Sequence, residues 1–173
     1  MKKLFPTFAE SSGYRGLTQN THKLSGKEFN ELKTSVLKRD HHTCAYCNFH
    51  AEEWQTINFL DGNSTNNKLS NLITACPMCN LILNTPVGCQ QEGIVELYSK
   101  SDFTQNQIVQ ITRKMRSQGK SDERIVQALG LKEKVPFKMN KNYLKGLFAF
   151  ITSWKGSWGQ WEEALQYSYK LNI

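Results

Sequence analysis

Residues 43–80 read TCAYCNFHAEEWQTINFLDGNSTNNKLSNLITACPMCN, with a Cys-x-x-Cys pair at each end. The first pair is Cys44 and Cys47, and the second is Cys76 and Cys79. A turn of this kind points two sulfurs at one ion, and two such turns supply the four thiolates of a tetrahedral zinc site. Four protein ligands leave no open position for a substrate. The stretch therefore predicts one structural zinc ion held by Cys44, Cys47, Cys76 and Cys79.

A redox interpretation of the cysteines is weaker. A redox-active Cys-x-x-Cys would stand alone at the start of a helix in a βαβ unit, whereas this chain has two pairs. The opening residues MKKLFPTFAE lack the apolar core of a signal peptide, which predicts a reducing compartment where paired cysteines indicate metal. The remaining candidates are predicted to stay outside the filled site: Cys89 as a small buried or bystander thiol, and His41, His42 and His50 as surface or capping residues.

Length and composition indicate an ordinary globular protein. The chain has 173 residues, of which 39% are hydrophobic and 21% charged, enough to bury a sizeable core. Its longest apolar cluster, at 146–154, is interrupted by polar residues and is far too short to span a bilayer. We therefore expect one domain, or one core with a helical extension, and no direct insertion into a membrane.

The formal net charge of +7 raises the question of a nucleic-acid partner. Residues 51–90 carry one basic and three acidic side chains, so the positive charge lies on the two flanks. Four thiolates around Zn²⁺ lower the net charge further, to about +5. A modest charge spread over two flanks predicts a solvated surface, and a nucleic-acid partner is not expected.

Residues 1–90 are predicted to hold the zinc site within a small ββα unit. A capping box at Ser25 and Glu28 starts a helix, which is followed by a hairpin with its turn at 61–63 and by a helix from Pro77. The first helix should bury its regularly spaced apolar residues, which are Phe29, Leu32, Val36 and Leu37. Residues 1–24 before it are expected to form an irregular arm with a short strand at Leu4–Phe8.

Residues 91–173 are predicted to form a helical extension packed on that unit within one structural domain, which makes the fold class α+β. A strand is expected at 94–98, where the sequence is IVELY. Four helices should follow: one with Ile108, Ile111 and Met115, one from Ser121 to Gly130, one over 143–154, and one with Trp158, Trp161, Leu165 and Tyr169.

The order of these motifs resembles the HNH, or ββα-metal, nuclease family. Arg39-Asp40 precedes the first cysteine pair, the turn at 61–63 is followed by NNKLSNL at 66–72, and Asn80 directly follows the last cysteine. In that family a metal-binding Asp or His precedes the turn, and the next residue is a His that acts as the general base. A later Asn holds the loop, and a His or Asn after the last cysteine completes the metal site. The resemblance implies that these positions fall on Asn58, Phe59, Asn71 and Asn80.

The resemblance fails at the residues that would perform the reaction. Phe59 cannot accept a proton, so it cannot be a general base. Asn58 offers a divalent ion only a neutral carbonyl oxygen, and Leu83 stands where such sites often have a lysine. We therefore predict an HNH-like scaffold that is not an enzyme.

A narrower family matches three stretches: KRDHHTCAYCNFHA at 38–51, LDGNSTNNKLSNLITAC at 60–76 and EGIVELYSKSDFTQNQI at 92–108. These resemble the DotN (IcmJ) component of type IVB secretion systems. The resemblance implies an HNH-like fold without nuclease activity, in a cytoplasmic subunit of the coupling complex at the inner face of the inner membrane. The implied partners are a tail segment of the coupling ATPase, DotL, and other coupling-complex subunits.

Two alternatives remain open from the sequence. One is an HNH-type endonuclease or nucleic-acid-binding zinc protein of a phage or mobile element, and the other is a zinc-ribbon protein with neither role. The first would require a histidine or carboxylate near Asn58 and Asn80, and the nearest candidates in sequence are Asp61, His41 and His50. The late aromatic residues are predicted to be mainly core, and exposed ones would suit an amphipathic partner helix; they are Tyr143, Phe148, Trp154, Trp158 and Trp161.

Overall fold

The computed structural model describes residues 1–8, 26–63, 65–91 and 93–153. Helices and antiparallel strands are mixed along these residues, so the predicted α+β class is confirmed. Within the described ranges, β1 pairs with β2, and β3 lies between β4 and β5 in a second sheet. In chain order the elements are α1 (Gly26–Arg39), β1 (Thr56–Phe59), β2 (Leu72–Ala75), α2 (Pro77–Leu83), β3 (Val95–Lys100), α3 (Gln105–Ser117), α4 (Asp122–Ala128), β4 (Lys132–Val135), α5 (Lys141–Lys145) and β5 (Phe148–Ile151).

The first half is built around the β1–β2 hairpin, against which α1 packs. The strands run antiparallel, with Thr56 opposite Ala75 and Phe59 opposite Leu72. Burial of each large apolar side chain between helix and hairpin contributes about 1.5–3 kcal/mol. The four apolar positions predicted for α1 all belong to this cluster, which consists of Val36, Leu37, Ile57 and Leu72, with Phe29, Leu32 and Phe59 packed against them.

Helix α2 begins where the sequence predicts it. Pro77 directly follows Cys76 at the start of the helix, where a missing N–H leaves no intrahelical hydrogen bond unmade. The helix ends at Leu83, before Pro86, and most of its side chains are buried. It contacts β1, so the hairpin and α2 together form a ββα arrangement.

The second half is an antiparallel sheet with helices packed on it. Its central strand, β3, confirms the strand predicted at 94–98. Helix α3 starts at a capping box in which Thr104 and Gln107 each accept a hydrogen bond from the other's backbone N–H. Ser121 caps α4, as predicted. Helix α3 then contacts both α4 and β5.

The helix predicted over 143–154 is wrong. Helix α5 stops at Lys145, Gly146 forms its C-cap, and the chain turns into β5. Apolar residues recur here at helical spacing, but the aromatic and β-branched side chains of β5 also suit a buried strand. Pairing with β3 satisfies the backbone groups on one side of β5, and local spacing cannot reveal that long-range partner. The described part of the extension is therefore sheet as well as helix.

The strand predicted at Leu4–Phe8 is also wrong. Residues 1–8 follow an irregular path along the molecule, and their backbone groups bond to distant elements instead of a neighbouring strand. For example, Lys2 N donates to the carbonyl oxygen of Ala45 at 2.7 Å. The segment is therefore an irregular arm that packs against the core through the buried Leu4.

The late aromatic residues are described only in part. Tyr143 and Phe148 are half-buried and pack against the core, as predicted. No helix in the described ranges is long and apolar enough to cross a bilayer. The predictions for Ser25 and for Trp154, Trp158, Trp161, Leu165 and Tyr169 lie outside the described residues.

Candidate metal centre

Cys44 and Cys47 lie in a tight turn after α1. The backbone N–H of Cys44 donates to the carbonyl of Phe49 at 2.8 Å, and Asn48 N donates to the carbonyl of Cys44 at 2.9 Å. Asn48 has a φ of 58°, a left-handed conformation that asparagine adopts more readily than most residues. The local sequence therefore closes the turn and places both sulfurs on one side of it.

Cys76 and Cys79 are positioned by α2. Cys76 is the N-cap residue in an extended conformation, and Cys79 lies in the first turn of the helix. Residues three apart at the start of a helix lie on the same face. The second pair therefore presents two sulfurs in one direction, toward the first pair.

The four sulfurs meet at one place. Their Sγ atoms all lie within 4.8 Å of one another, and all four residues are buried. The Sγ atoms of Cys47 and Cys76 are 3.6 Å apart. Sulfurs about 2.3 Å from a central zinc ion, at tetrahedral angles, are separated by roughly 3.8 Å, so the spacing fits a metal centre. A disulfide would require an S–S distance of about 2.05 Å.

Arg113 of α3 contacts this cluster, although it lies far from the cysteine motifs in the sequence. Its Nη1 donates to the Sγ of Cys47 at 3.5 Å, and its Nη2 donates to the Sγ of Cys76 at 3.3 Å. The guanidinium also lies over the ring of Phe49, with 4.0 Å to the centroid. A signal did exist, because Arg113 follows the buried Val109 at i+4 and so shares the inward face of α3.

The pKa values of the thiols shift in opposite directions within the cluster. Burial raises the pKa of Cys76 and Cys79 well above the ordinary value for a thiol. Hydrogen bonds from the other three sulfurs, and the charge of Arg113, lower the pKa of Cys47. Burial alone would lower the pKa of Arg113, but the thiolates of Cys76 and Cys47 raise it, so the guanidinium stays charged. A bound divalent ion would supply the remaining charge and deprotonate the thiols.

Asn58 and Phe59 are engaged in packing and hydrogen bonding. The Oδ1 of Asn58 accepts a hydrogen bond from the hydroxyl of Tyr46 at 3.1 Å. Phe59 is half-buried and packs against the cluster between α1 and the hairpin. An aromatic ring in this place adds apolar contact and has no lone pair with which to take up a proton.

Asn71 makes the hydrogen bonds expected of a residue that holds the loop after β1. Its Nδ2 donates to Asp61 Oδ1 and to the carbonyl of Asn66, both at 2.9 Å. Its Oδ1 accepts from the backbone N–H of Asp61 at 3.1 Å. The Asp61 carboxylate also accepts hydrogen bonds from Asn66 and Asn63, and the bonds from Asn66, Asn63 and Asn71 lower the pKa of Asp61. The Asp61 carboxylate is therefore engaged in hydrogen bonds within the loop.

Among the described residues, Asn80 and the histidines do not form a second group that could hold a metal ion. Asn80 Oδ1 accepts from Asn84 Nδ2 at 3.1 Å on α2. His42 and His50 each approach Glu52, at 3.5 and 3.4 Å. Within the described ranges, the four cysteines are the only group of three or more His, Cys, Asp or Glu residues close enough to share a metal ion.

The Arg39–Asp40 pair ties the end of α1 to the hairpin. Arg39 donates to the carbonyls of Leu69 and Leu72, both at 2.7 Å, and to the Asp40 carboxylate. Asp40 Oδ2 accepts from the backbone N–H of Thr74 at 2.9 Å. Burial alone would raise the pKa of Asp40, but the bonds from Arg39 and Thr74 outweigh it and lower the pKa. The pair therefore fixes the hairpin next to the first cysteine turn.

Cys89 lies outside the cluster. It is half-buried, and burial raises its pKa to about 12. A raised pKa disfavours the thiolate, which is the reactive form of a cysteine.

One curated relative matches part of the chain. The chain is 45% identical over 53 residues to the type 4 apparatus protein DotN of Legionella pneumophila. The match covers 31% of this chain and 25% of that protein, so the chain spans about a quarter of the length of the curated relative it matches. No protein-family model matches the chain. The resemblance to the DotN family is therefore confirmed over the matched stretch.

Proposed function

We propose that this protein is a non-enzymatic adaptor subunit of a type IVB secretion or conjugation coupling complex. The observation that carries the proposal is the 45% identity over 53 residues to DotN, a type 4 apparatus protein. A subunit of such an apparatus contacts other proteins of the assembly, which is the role proposed for this chain. The contacts within the described residues support an adaptor role, because the side chains at the HNH-like positions hold the fold together and do not form an open reactive site.

The scaffold is an HNH-like ββα unit. Three features of that family support it: a hairpin followed by a helix, cysteine pairs that join the hairpin region to the helix, and an asparagine that holds the loop. Arg39-Asp40, which the resemblance also includes, binds the hairpin through both side chains. The motif residues therefore maintain the shape of the unit.

At the described positions that would perform an HNH nuclease reaction, the side chains are engaged in structural contacts. Phe59 fills the general-base position with a hydrocarbon ring, and Asn58 is bonded to Tyr46. Asp61, the nearest carboxylate in sequence, is held by three asparagines. A nuclease of this type needs a proton acceptor and an open metal site. The residues at the two corresponding positions, Phe59 and Asn58, instead pack against the core and bond to Tyr46.

The cofactor of this proposal is one structural zinc ion, held by Cys44, Cys47, Cys76 and Cys79. Sulfur donors at near-tetrahedral spacing in a buried site fit Zn²⁺, which binds without redox chemistry. Such an ion contributes directly to folding, because an unfolded chain does not hold the site together. The four thiolates hold two turns and one helix in a single arrangement.

The proposed partners are a tail segment of the coupling ATPase (DotL-like) and other coupling-complex subunits, which would hold the protein at the cytoplasmic face of the inner membrane. A cleft of about 620 Å³ between residues 1–5, the start of α3 and the turn after α5 offers a docking place. Leu4 and Leu147 lie in its floor and Lys2 and Lys145 are exposed at its rim, and none of the described residues that line it is acidic. A partner segment with an apolar anchor and a flanking carboxylate fits this chemistry.

Capture from native lysate tests the proposal. Tagged full-length protein should retain the coupling ATPase, identified by mass spectrometry. The variant Lys145→Glu should retain less of it, with Lys114→Glu, a charge change elsewhere on the surface, as the matched control. Retention of nucleases or nucleic-acid enzymes without any secretion component would contradict the proposal.

A further inference from the structure

Helix α3 directs a row of polar side chains at the first cysteine turn. Asn106 Nδ2 donates to the carbonyl of Tyr46 at 2.6 Å, and Gln110 Nε2 donates to the carbonyl of Cys47 at 3.1 Å. Arg113 completes the row with its bonds to the sulfurs. The three residues are spaced i, i+4 and i+7, so they form one face of the helix. One face of α3 therefore contacts the first cysteine turn along about two turns of the helix.

The charge of the cluster explains why an arginine is buried there. Four thiolates around a divalent ion carry a net charge of −2, and a buried charge without compensation is costly. Arg113 is only 7% exposed, and its guanidinium presents two N–H groups to two sulfurs, those of Cys47 and Cys76. Arginine suits this role because its planar fork donates in two directions and keeps its charge when buried.

We infer that Arg113 is a positioning residue of the metal centre, and that it makes α3 and the second sheet dependent on metal binding. The thiolates hold the guanidinium, the guanidinium holds α3, and α3 packs on β5 and α4. Metal binding in the first half thereby orders the second half. This inference rests on the proposed metal centre and not on the proposed adaptor role.

Metal affinity tests the direct part of the inference. Zinc affinity is measured by competition with a chelator of known affinity, on the full chain, for wild type, Arg113→Met and Arg113→Lys. Loss of a side chain that supports metal ligands typically costs about 10- to 100-fold in affinity, and that loss is expected for Arg113→Met. Arg113→Lys keeps the charge but not the fork, so its affinity should lie between those of wild type and Arg113→Met.

Arg116→Met is the matched control. Arg116 is a second, half-buried arginine on α3, and it bonds to Asp122 and to the carbonyl of Ile151. This variant should lower thermal stability while leaving zinc affinity within about threefold of wild type. Equal zinc affinities for the Arg113→Met and Arg116→Met variants would overturn the inference. If Arg113→Met does not fold, Arg113→Lys is compared with Arg116→Lys by the same criterion.

Two further readouts separate a positioning role from simple packing. In cobalt-substituted protein, the thiolate-to-metal absorption band should shift in Arg113→Lys and not in Arg116→Lys, because only Arg113 bonds to the sulfurs. Hydrogen exchange of α3 should become faster when a chelator removes the metal from the wild type. Unchanged bands together with metal-independent protection of α3 would overturn the inference, whereas wild type that binds no metal at all would refute the metal centre itself.

Discussion

At the scale of single residues, the side chains at the HNH-like positions make structural contacts. Asn58 accepts from Tyr46, Asn71 holds Asp61, and Phe59 packs on α1. Each of these contacts stabilises the ββα unit. The cysteines could be predicted from their spacing alone, because a tetrahedral thiolate site imposes that pattern. The spacing of Arg113 after Val109 indicates that it lies on the inward face of α3, but its contact with the sulfurs could not be predicted, because it depends on where α3 docks.

The first residue-scale prediction concerns Cys76. Replacing it with serine removes one thiolate from the tetrahedron, so the variant should bind zinc far more weakly and its N-terminal half should unfold. Structural zinc contributes on the order of 10 kcal/mol to folding in small zinc domains, which exceeds the typical margin of stability. Elemental analysis and thermal melting measure both effects. Cys89→Ser is the control and should keep one zinc per chain; a Cys76→Ser variant with unchanged melting would contradict the metal centre.

The second residue-scale prediction is a pH dependence at Asp40. Its pKa is lowered in the folded state, so its contribution is present above the unfolded pKa of about 4 and disappears as the pH falls through the folded value. Asp40→Asn should therefore lower the free energy of unfolding by about 1–2 kcal/mol at pH 7, a figure reduced because Arg39 is partly exposed.

Urea unfolding of wild type and Asp40→Asn at several pH values measures this difference. The gap between the two proteins should be constant from pH 7 to about 5 and shrink below about pH 4. Loss of metal in acid affects both proteins and cancels in the comparison. A gap that grows as the pH falls would mean that the folded pKa is raised.

At the scale of elements, prediction succeeded where local sequence controls the outcome. The apolar spacing of α1, the proline at the start of α2 and the cap at Ser121 all act within a few residues. It failed for β5, because the same apolar residues satisfy a helical pattern and a strand pattern. Only the presence of β3 as a partner decides between them.

The element-scale prediction concerns the edge of β5. Gln105 Nε2 donates to the carbonyl of Ala149 at 2.8 Å, and its Oε1 accepts from Ala149 N at 2.7 Å, so the side chain pairs with the strand as a neighbouring strand would. Gln105→Ala should leave two buried backbone groups unpaired and lower the free energy of unfolding by roughly 2–4 kcal/mol. The exposed Gln127→Ala is the control, and an equal, small loss for both variants in urea unfolding would contradict this account of the edge.

At the scale of the whole molecule, the two halves share one core. The largest buried cluster joins the cysteines to apolar residues of β3, α3, α5 and β5. This supports the proposal that residues 1–90 and 91–173 are parts of one structural domain. A core shared by both halves is compatible with the proposed role, because a surface that is already fixed binds a partner at a lower entropic cost.

The first molecule-scale prediction is the absence of metal-dependent cleavage. Purified protein incubated with plasmid or single-stranded substrate and magnesium, manganese, nickel or zinc should leave the nucleic acid intact, because Phe59 cannot act as a general base. Asn80→Ala is the control for contamination. Cleavage that persists through purification and disappears in Asn80→Ala would contradict the proposal of an inactive scaffold.

The most direct measurement for the central claim is a calorimetric titration of the zinc-loaded full chain with the tail segment of the coupling ATPase, at 50 and 200 mM salt. Apolar anchoring predicts binding at both concentrations, with affinities that differ by less than about 10-fold. Binding through 6–10 phosphate contacts would instead lose about 10³- to 10⁵-fold over this range. No binding of the tail at either salt concentration, together with salt-sensitive binding to DNA, would contradict the adaptor account.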